Sequence, residues 1–577
     1  MFWRTDLKKS REQYKNIGLL IIFILLSFIA LFPFFKSDAI NSGIDLAFHL
    51  NRIVNLSETL RHGKLFSFIS TWGLNGVGVP VNMAYGCLPL YPFAVLFMIV
   101  HNKIFAYYLG IMFWLVVSCV LSYLFSYKYY GQKIKSVAFS IIYTFANYLF
   151  GNFFIIGDIG QAVAWIFMPM FVYGCYSSFI KDDKHREWYY VPLSLAAIVY
   201  SHIITTLIAI SILGVFLVIA LVKRQDLMGK LTVCIKQFFF TLGMTLFYWI
   251  NLASILKNKL SIPHCPQLSG IDVGSFIQQQ FTWGGNRLGA IVTILFVVGL
   301  FNWKRMNKYS KGIAIMALLY SFLMTNISTV FLIVLSYTPF RMIQWTGRLA
   351  GAVNLFSIIF DIDVIDVLFK KKSFKKLGYI EVVGLILISF VGQGMSFVST
   401  SNFRSINHVA TLNKPLPFGN WKITSSKGVN YVAGKDYTGV GSLDYWPSRS
   451  LNFKNSIINN DVFVNGKIKD VSIKRGVDKF KLSGLALKQR VEVNTPFLYN
   501  HGYRILQNGK ELSYWQSYRG TVSFDTKNSG EPIVIQYCVP QIAKVACIIS
   551  VVVTIILTVI ILKNKKLVAM RRPTLAE

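Results

Sequence analysis

Ten residues near the start of the chain, Gly43-Ile44-Asp45-Leu46-Ala47-Phe48-His49-Leu50-Asn51-Arg52, put a carboxylate, an imidazole and a guanidinium just beyond a hydrophobic stretch. Asp45 and His49 are four apart and Asp45 and Arg52 seven apart, so a helix would carry all three on one face. Charges at a membrane boundary are costly unless solvated or used. Two readings of Asp45 stand. A partly desolvated carboxylate with its pKa raised is a general base that orients a hydroxyl nucleophile; alternatively, Asp45 opens a helix and pairs with Arg52. His49 is a hydrogen-bond partner of Asp45, a phosphate ligand or a structural group.

Further polar residues interrupt apolar sequence later on. Gly157-Asp158-Ile159-Gly160-Gln161 precedes an apolar helix, where Asp158 is either a catalytic acid or a cap favoured by the helix dipole. His202 follows Ser201 at a tight turn, as a functional imidazole or as a donor to backbone carbonyls. Arg341 and Arg348 are seven apart with Gln344 and Trp345 between them. Two guanidiniums on one helical face suit a phosphate, because Arg binds bidentately and keeps its charge; ordinary interfacial anchoring explains them equally well.

The elements that must position these residues are hydrophobic helices. Of the 577 residues, 54% are hydrophobic, and mean hydropathy is +0.50. Apolar runs long enough to span recur between short basic clusters, which describes a polytopic helical membrane protein. The expected spans are 17–35, 104–127, 136–150, 160–180, 188–201, 203–222, 231–252, 287–303, 312–330, 348–369, 377–396 and 541–562, about twelve crossings. The basic clusters Arg4–Lys15, Lys128–Lys135, Lys181–Arg186, Lys223–Lys230, Lys304–Lys308, Lys370–Lys376 and Lys563–Lys566 place both termini in the cytoplasm. Leu88–Val100 breaks that parity and contains Pro89 and Pro92, so it is read as a re-entrant or surface helix closing a large first outer loop, 36–103. Residues 188–222 are read as a tight pair of short helices with His202 at the outer turn.

The net charge of +34 does not imply nucleic acid, since most Lys and Arg lie between spans. Seven scattered cysteines form no CxxC pair, which implies neither a disulfide framework nor a zinc site. No Walker A, GxSxG, HExxH or dinucleotide fingerprint is present in a suitable context. The N-terminal apolar run reads as a retained anchor, because Phe34-Phe35-Lys36 offers no small-residue cleavage site.

Residues 397–540 change character. Apolar runs shorten to strand length, and Asn465-Gly466 and Asn508-Gly509 are hairpin dipeptides. This reads as a β-rich extracytoplasmic domain, tied down by a last span and basic tail over 541–577. Within 396–540, 19 Lys and Arg face 9 Asp and Glu, a net of +10 outside the membrane. Anionic lipid headgroups or an anionic surface polymer are the partners this suggests, beside the reading of a merely basic domain.

The acidic-His motif after the first span, Gly157-Asp158-Ile159-Gly160-Gln161-Ala162, Met168-Pro169-Met170-Phe171-Val172-Tyr173-Gly174, the Ser201-His202 turn and Ile343-Gln344-Trp345-Thr346-Gly347-Arg348 together resemble one bacterial group. It comprises polytopic membrane proteins of GT-C-type architecture, labelled 6-pyruvoyl-tetrahydropterin-synthase-related and similar to YfhO-like glycosyltransferases. The pterin label implies no pterin chemistry here. The resemblance covers most of the membrane part, 1–396, and extends to the β-rich domain.

It implies sugar transfer at the outer face of the plasma membrane, from a polyprenyl-phosphate-linked donor to teichoic acid or another envelope polysaccharide. Asp45 would activate the acceptor. Arg348, with Arg341, would hold the donor phosphate, and His49, Arg52, Asp158, His202 and Gln344 would line the substrate site. Gln161 stands where the group commonly carries Glu, which weakens a catalytic or metal-binding role for the second motif. Inverting transfer by a single base, without metal or cofactor, is the expected chemistry. The rivals are a lipid-linked-saccharide flippase or transporter, and a catalytically inactive envelope-assembly protein.

Overall fold

The computed structural model describes residues 2–181, 187–224, 226–257, 260–261, 267–282, 284, 287–369, 371–400, 404–406, 421–434, 441–485, 490–527 and 530–570. The expected anchors Lys184, Arg186 and Lys370 and the thiol of Cys265 lie outside them.

Eight helices among the described residues are long and apolar enough to cross a membrane: Asn16–Ser37, Lys103–Tyr130, Lys133–Ile156, Ile159–Phe179, Ile203–Lys223, Leu227–Leu256, Ser373–Ser399 and Gln541–Asn564. They coincide with eight of the twelve expected spans. Their outward faces are apolar, as Ile21, Leu25, Phe28 and Ile29 show on the first, which is the surface lipid requires. The chain is therefore built as a polytopic membrane protein with an additional β-rich region.

The other four expected spans are also helical. Tyr190–Val199 and Ala290–Phe301 have 10 and 12 residues. At about 1.5 Å per residue, neither reaches across a ~30 Å hydrocarbon core alone. Lys308–Met324 stops at an extended Thr325. Ala350–Leu368 is long enough, yet it carries Asp361, Asp363 and Asp366. The Leu88–Val100 run forms a helical turn and a nine-residue helix, Tyr91–Ile99, also too short to cross. The pair expected over 188–222 consists of one short helix and one of 21 residues, Ile203–Lys223.

The chain divides into two compact units, each assembled from three separate stretches. The first comprises Met1–Ile53, Leu90–Pro169 and His264–Val432. Here two of the acids of Ala350–Leu368, Asp363 and Asp366, are partnered by basic residues from the clusters read as cytoplasmic. Lys135 pairs with Asp363 at 3.5 Å and with Asp366, Lys375 reaches Asp366 at 3.8 Å, and the Tyr379 hydroxyl donates to Asp366 at 2.9 Å. The first unit also holds a small sheet in which Trp421–Ile423 pairs antiparallel with Ile40–Asn41 and parallel with Arg404–Ile406. The stretch 397–540 is thus not one block: its first strands complete a sheet begun by residues 40–41.

The second unit comprises Val54–Pro89, Met170–Pro263 and Ala433–Glu577. It contains two five-stranded sheets. One runs Lys510–Leu512, Tyr503–Gln507, Ile533–Tyr537, Lys479–Ser483, Ser472–Gly476; the other runs Tyr514–Gln516, Thr521–Thr526, Val491–Leu498, Val462–Val464, Lys467–Lys469. Alternating apolar residues fill one shared core, with Phe480 and Phe497 stacked at 3.7 Å beside Val493, Ile505, Phe524 and Ile535. Both hairpin dipeptides turn as expected, each with positive φ at Asn and Gly.

Candidate functional site

The site in the first unit begins with a backbone contact. Asp45 donates its amide to Ile156 O at 2.7 Å. A Cβ on Gly43 would stand 2.7 Å from that same carbonyl oxygen, and one on Gly157 would stand 2.8 Å from Leu46 N. Only glycine permits this approach, and Gly157 also holds a left-handed φ of +76°. Asn147–Phe150 and the π-helical turn Gly151–Ile156 deliver the chain to this point after an extended break at Ala146.

Two helices start at the junction. Asp45 precedes Leu46–Arg61, its carbonyl accepting from His49 N at 3.1 Å. Asp158 caps Ile159–Ile166, its carboxylate accepting from Gln161 N at 2.9 Å. Two positive helix ends thus open beside one another, a setting that favours anions.

His49 lies one turn into its helix and is buried. Its Nε2 meets Asp158 Oδ1 at 3.4 Å, so its partner is the second acid across the junction. Burial lowers the His49 pKa, Asp158 opposes that shift, and the Arg52 charge adds to it. The imidazole is accordingly neutral near pH 7, with Nε2–H directed at Asp158. Arg52 is also buried, its guanidinium carbon 5.6 Å from the Phe48 ring centre. Asp45 itself is half-buried and lies just outside the helix, so the expected single face carries only His49 and Arg52. Asn51 steadies that helix by donating to Ala47 O at 2.8 Å and Val432 O at 2.9 Å.

Gln161 has a defined task. Its amide nitrogen donates to Asn152 Oδ1 at 2.7 Å and to the Tyr148 hydroxyl at 3.2 Å. Asn152 is oriented by donating to Tyr148 O at 2.8 Å, which leaves its oxygen as acceptor. A Glu carboxylate at 161 would oppose that oxygen with no proton to give. Gln therefore suits this chain's neighbours. Sequence reasoning missed Tyr148 and Asn152; their i, i+4 spacing just before Gly157-Asp158 was the available signal.

Arg348 is half-buried and its Nη1 donates to Gln344 Oε1 at 2.9 Å and Ile343 O at 3.1 Å. Three residues on, Gly351 packs against the Trp165 ring, which stands edge-on to Tyr148 at 5.5 Å, so the segment after Arg348 abuts the cluster. Arg341 is exposed. The segment is two short 3₁₀ turns, Pro339–Ile343 and Thr346–Leu349, broken at Gln344 by a φ of +65°. The shared helical face expected for the two arginines does not form.

His202 belongs to the second unit and is buried. It caps Ile203–Lys223, with Nδ1 taking the Thr205 amide at 3.3 Å and the Thr205 hydroxyl at 2.7 Å. Its Nδ1 thus accepts a backbone N–H at the start of the helix. Among the described residues, no three His, Cys, Asp or Glu side chains converge to hold a metal ion.

No family profile matches the chain, and no curated protein matches its sequence. Solved structures similar to it at low identity include the following two. The arabinofuranosyltransferase AftD from Mycobacteria matches at 10% identity and a TM-score of 0.48, over 91% of this chain and 40% of its own. ArnT from Cupriavidus metallidurans, solved bound to undecaprenyl phosphate, matches at 12% identity and a TM-score of 0.36, over 64% of each chain. The chain thus spans less than two thirds of the length of either.

Proposed function

We propose that the chain is a GT-C-type membrane glycosyltransferase, moving a sugar from a polyprenyl-phosphate donor to an acceptor of the cell envelope at the outer face. One observation carries the reading: the Gly43–Gly157 backbone contact sets half-buried Asp45 beside the His49–Asp158 pair, where two helix N-termini open and Arg52 adds positive charge.

In this mechanism Asp45 takes the proton of an acceptor hydroxyl as its oxygen attacks the anomeric carbon. The bond from that carbon to the donor phosphate breaks on the opposite face, and configuration inverts. The phosphodiester monoanion leaves as a prenyl phosphate monoester, and Arg348 balances the added charge. His49, kept neutral, holds Asp158 by a hydrogen bond and leaves proton abstraction to Asp45. Neither metal nor cofactor enters this scheme.

The basic sandwich supports an anionic acceptor such as teichoic acid. Lys474 and Lys481 are directly opposite on neighbouring strands, with Lys479 beside them, all exposed. Like charges so placed are unfavourable unless a polyanion meets them. The acids Glu492 and Asp525 face each other on the other sheet.

A transport reading has one observation in its favour. Asn354, Ser357 and Asp361 lie along one face of Ala350–Leu368, fully buried, each with a polar atom that meets no partner. Purified protein with radiolabelled polyprenyl-phosphate sugars separates the two. Transfer by wild type that is abolished in Asp45→Asn is expected; equal transfer by both removes Asp45 as base. Lipid translocation in liposomes without any transfer would replace the enzyme by a flippase.

A further inference from the structure

Between Lys311 and Arg341 the chain carries no charged side chain. A single crossing could use such a run, yet the helix Lys308–Met324 stops after 17 residues, and the next, Thr329–Ser336, has only eight. Lys304, Arg305 and Lys308 are exposed at the start of the first helix, where they mark one membrane surface. From there 17 residues at about 1.5 Å each reach about 25 Å, so the chain turns about 5 Å short of the far side of a ~30 Å core.

The turn is held by the segment 268–271. Ile271 N donates to Met324 O at 2.8 Å and Ile271 O accepts from Asn326 N at 2.9 Å, taking backbone groups that a continuing helix would use. A Cβ on Gly270 would collide with the Thr325 carbonyl, so glycine permits this approach. Leu268 N donates to Ser336 Oγ at 2.8 Å, and the Thr346 hydroxyl reaches Met324 O at 3.1 Å. Thr325, Ser328, Ser336 and Thr346 are all buried. Non-helical backbone is tolerated at membrane depth where protein satisfies it, and here protein does.

The other face of Thr329–Ser336 is apolar and uncovered. Val330 is 79% exposed and Ile327, Phe331, Ile333 and Val334 are exposed with it, whereas Leu332 is buried. This surface continues that of the preceding helix, where Ile315, Leu318, Leu319 and Phe322 are exposed as on the lipid-facing spans. Just beyond it come Tyr337, 88% exposed, then Arg341 and Trp345, residue types that settle at headgroup level. Apolar side chains followed by aromatic and cationic ones match the gradient across one lipid leaflet.

We propose that Thr329–Ser336 lies in the plane of the leaflet opposite the basic turn, its apolar face among acyl chains and Arg341 at the lipid phosphates. Arg341, which shares no helical face with Arg348, thus has a separate partner in membrane phospholipid. The contact is independent of the transfer reaction.

Fluorescence quenching on the full chain in lipid nanodiscs tests this without any activity readout. A fluorescent noncanonical residue replaces Val330 in one sample and Arg341 in another, with Phe331 as the alternative position if the Val330 variant unfolds. The quenchers are phosphatidylcholine brominated on its acyl chains and aqueous iodide. Iodide, which hydrocarbon excludes, is expected to quench the Val330 probe about tenfold less than the Arg341 probe, and bromolipid to quench it more. Equal iodide quenching at both positions places the helix in water and overturns the proposal. Protection of the Val330 probe from both quenchers places a second copy or another protein on this face and overturns it too. An Arg341 probe shielded from iodide removes Arg341 from the headgroup level.

Discussion

His49 Nε2 and Asp158 Oδ1 meet at 3.4 Å, each at the start of a different helix and both buried. The contact makes the site a joint between two helix N-termini, not a stripe along one helix, and burial, which Asp158 opposes, favours the neutral form of His49.

The pH dependence of stability follows. Burial lowers the His49 pKa below its ordinary 6.5, so the folded chain binds this proton less readily than the unfolded chain. His49 therefore contributes nothing to the pH dependence above about pH 7 and destabilises progressively as pH falls below about 6.5. Thermal midpoints of wild type and His49→Gln, measured from pH 8 to pH 5, should converge toward low pH. A constant difference across that range would contradict a neutral buried His49.

Asp478 predicts the opposite slope. Its carboxylate accepts from Phe68 N at 2.8 Å and Ile69 N at 2.9 Å, but burial prevails and raises its pKa to about 7. A raised pKa means stability that is complete at acid pH and declines between about pH 4 and pH 7 as the folded group loses its proton. Asp478→Asn should remove this decline, read from the melting of the β-rich region as a function of pH. An unchanged profile would assign the decline to another group.

The two arginines separate by burial. Arg348→Ala removes a guanidinium held by Gln344 and Ile343, and transfer is expected to fall about 10- to 100-fold. Arg341→Gln changes an exposed side chain on a different turn, so stability should move by no more than about 0.5 kcal/mol and transfer about twofold or less. Comparable losses in both variants would restore a paired phosphate clamp.

Gly43→Ala tests the backbone junction. The added methyl would press on Ile156 O and Gly157 N, and the strain is expected to cost about 1–3 kcal/mol and most of the transfer activity. Gly18→Ala is the matched control, with nothing within 4 Å of its Cβ and helical surroundings that favour Ala. Unfolding midpoints and transfer rates report both. A neutral Gly43→Ala would mean that the junction tolerates displacement and does not position Asp45.

Local pattern carried much of this into view. Hydropathy located the helices, and Asp45, His49, Asp158 and Arg348 stood out because each interrupts apolar sequence. Contacts between distant stretches did not show. Asp158 as the partner of His49 depends on the Gly43–Gly157 approach, which neither glycine announces in isolation. The turn at Gln344 requires a positive φ that its residue type does not favour, so a helical spacing rule misplaced Arg341. The stretch 397–540 divides because Trp421–Ile423 finds its partner strand at Ile40–Asn41, too short a run for periodicity to reveal.

On one sheet of the sandwich Lys474 stands opposite Lys481 with Lys479 beside them, and on the other Asp525 is met by Arg490 at 2.7 Å while Lys467 is exposed. Positive charge therefore shows on both sheets. Near a polyanion such a body is attracted with little torque, so it would be captured in more than one rotation before any side chain touches it. The Debye length is about 8 Å at physiological salt and about 3 Å at 1 M, so this capture fades as salt rises, while the packed core that carries the charges persists.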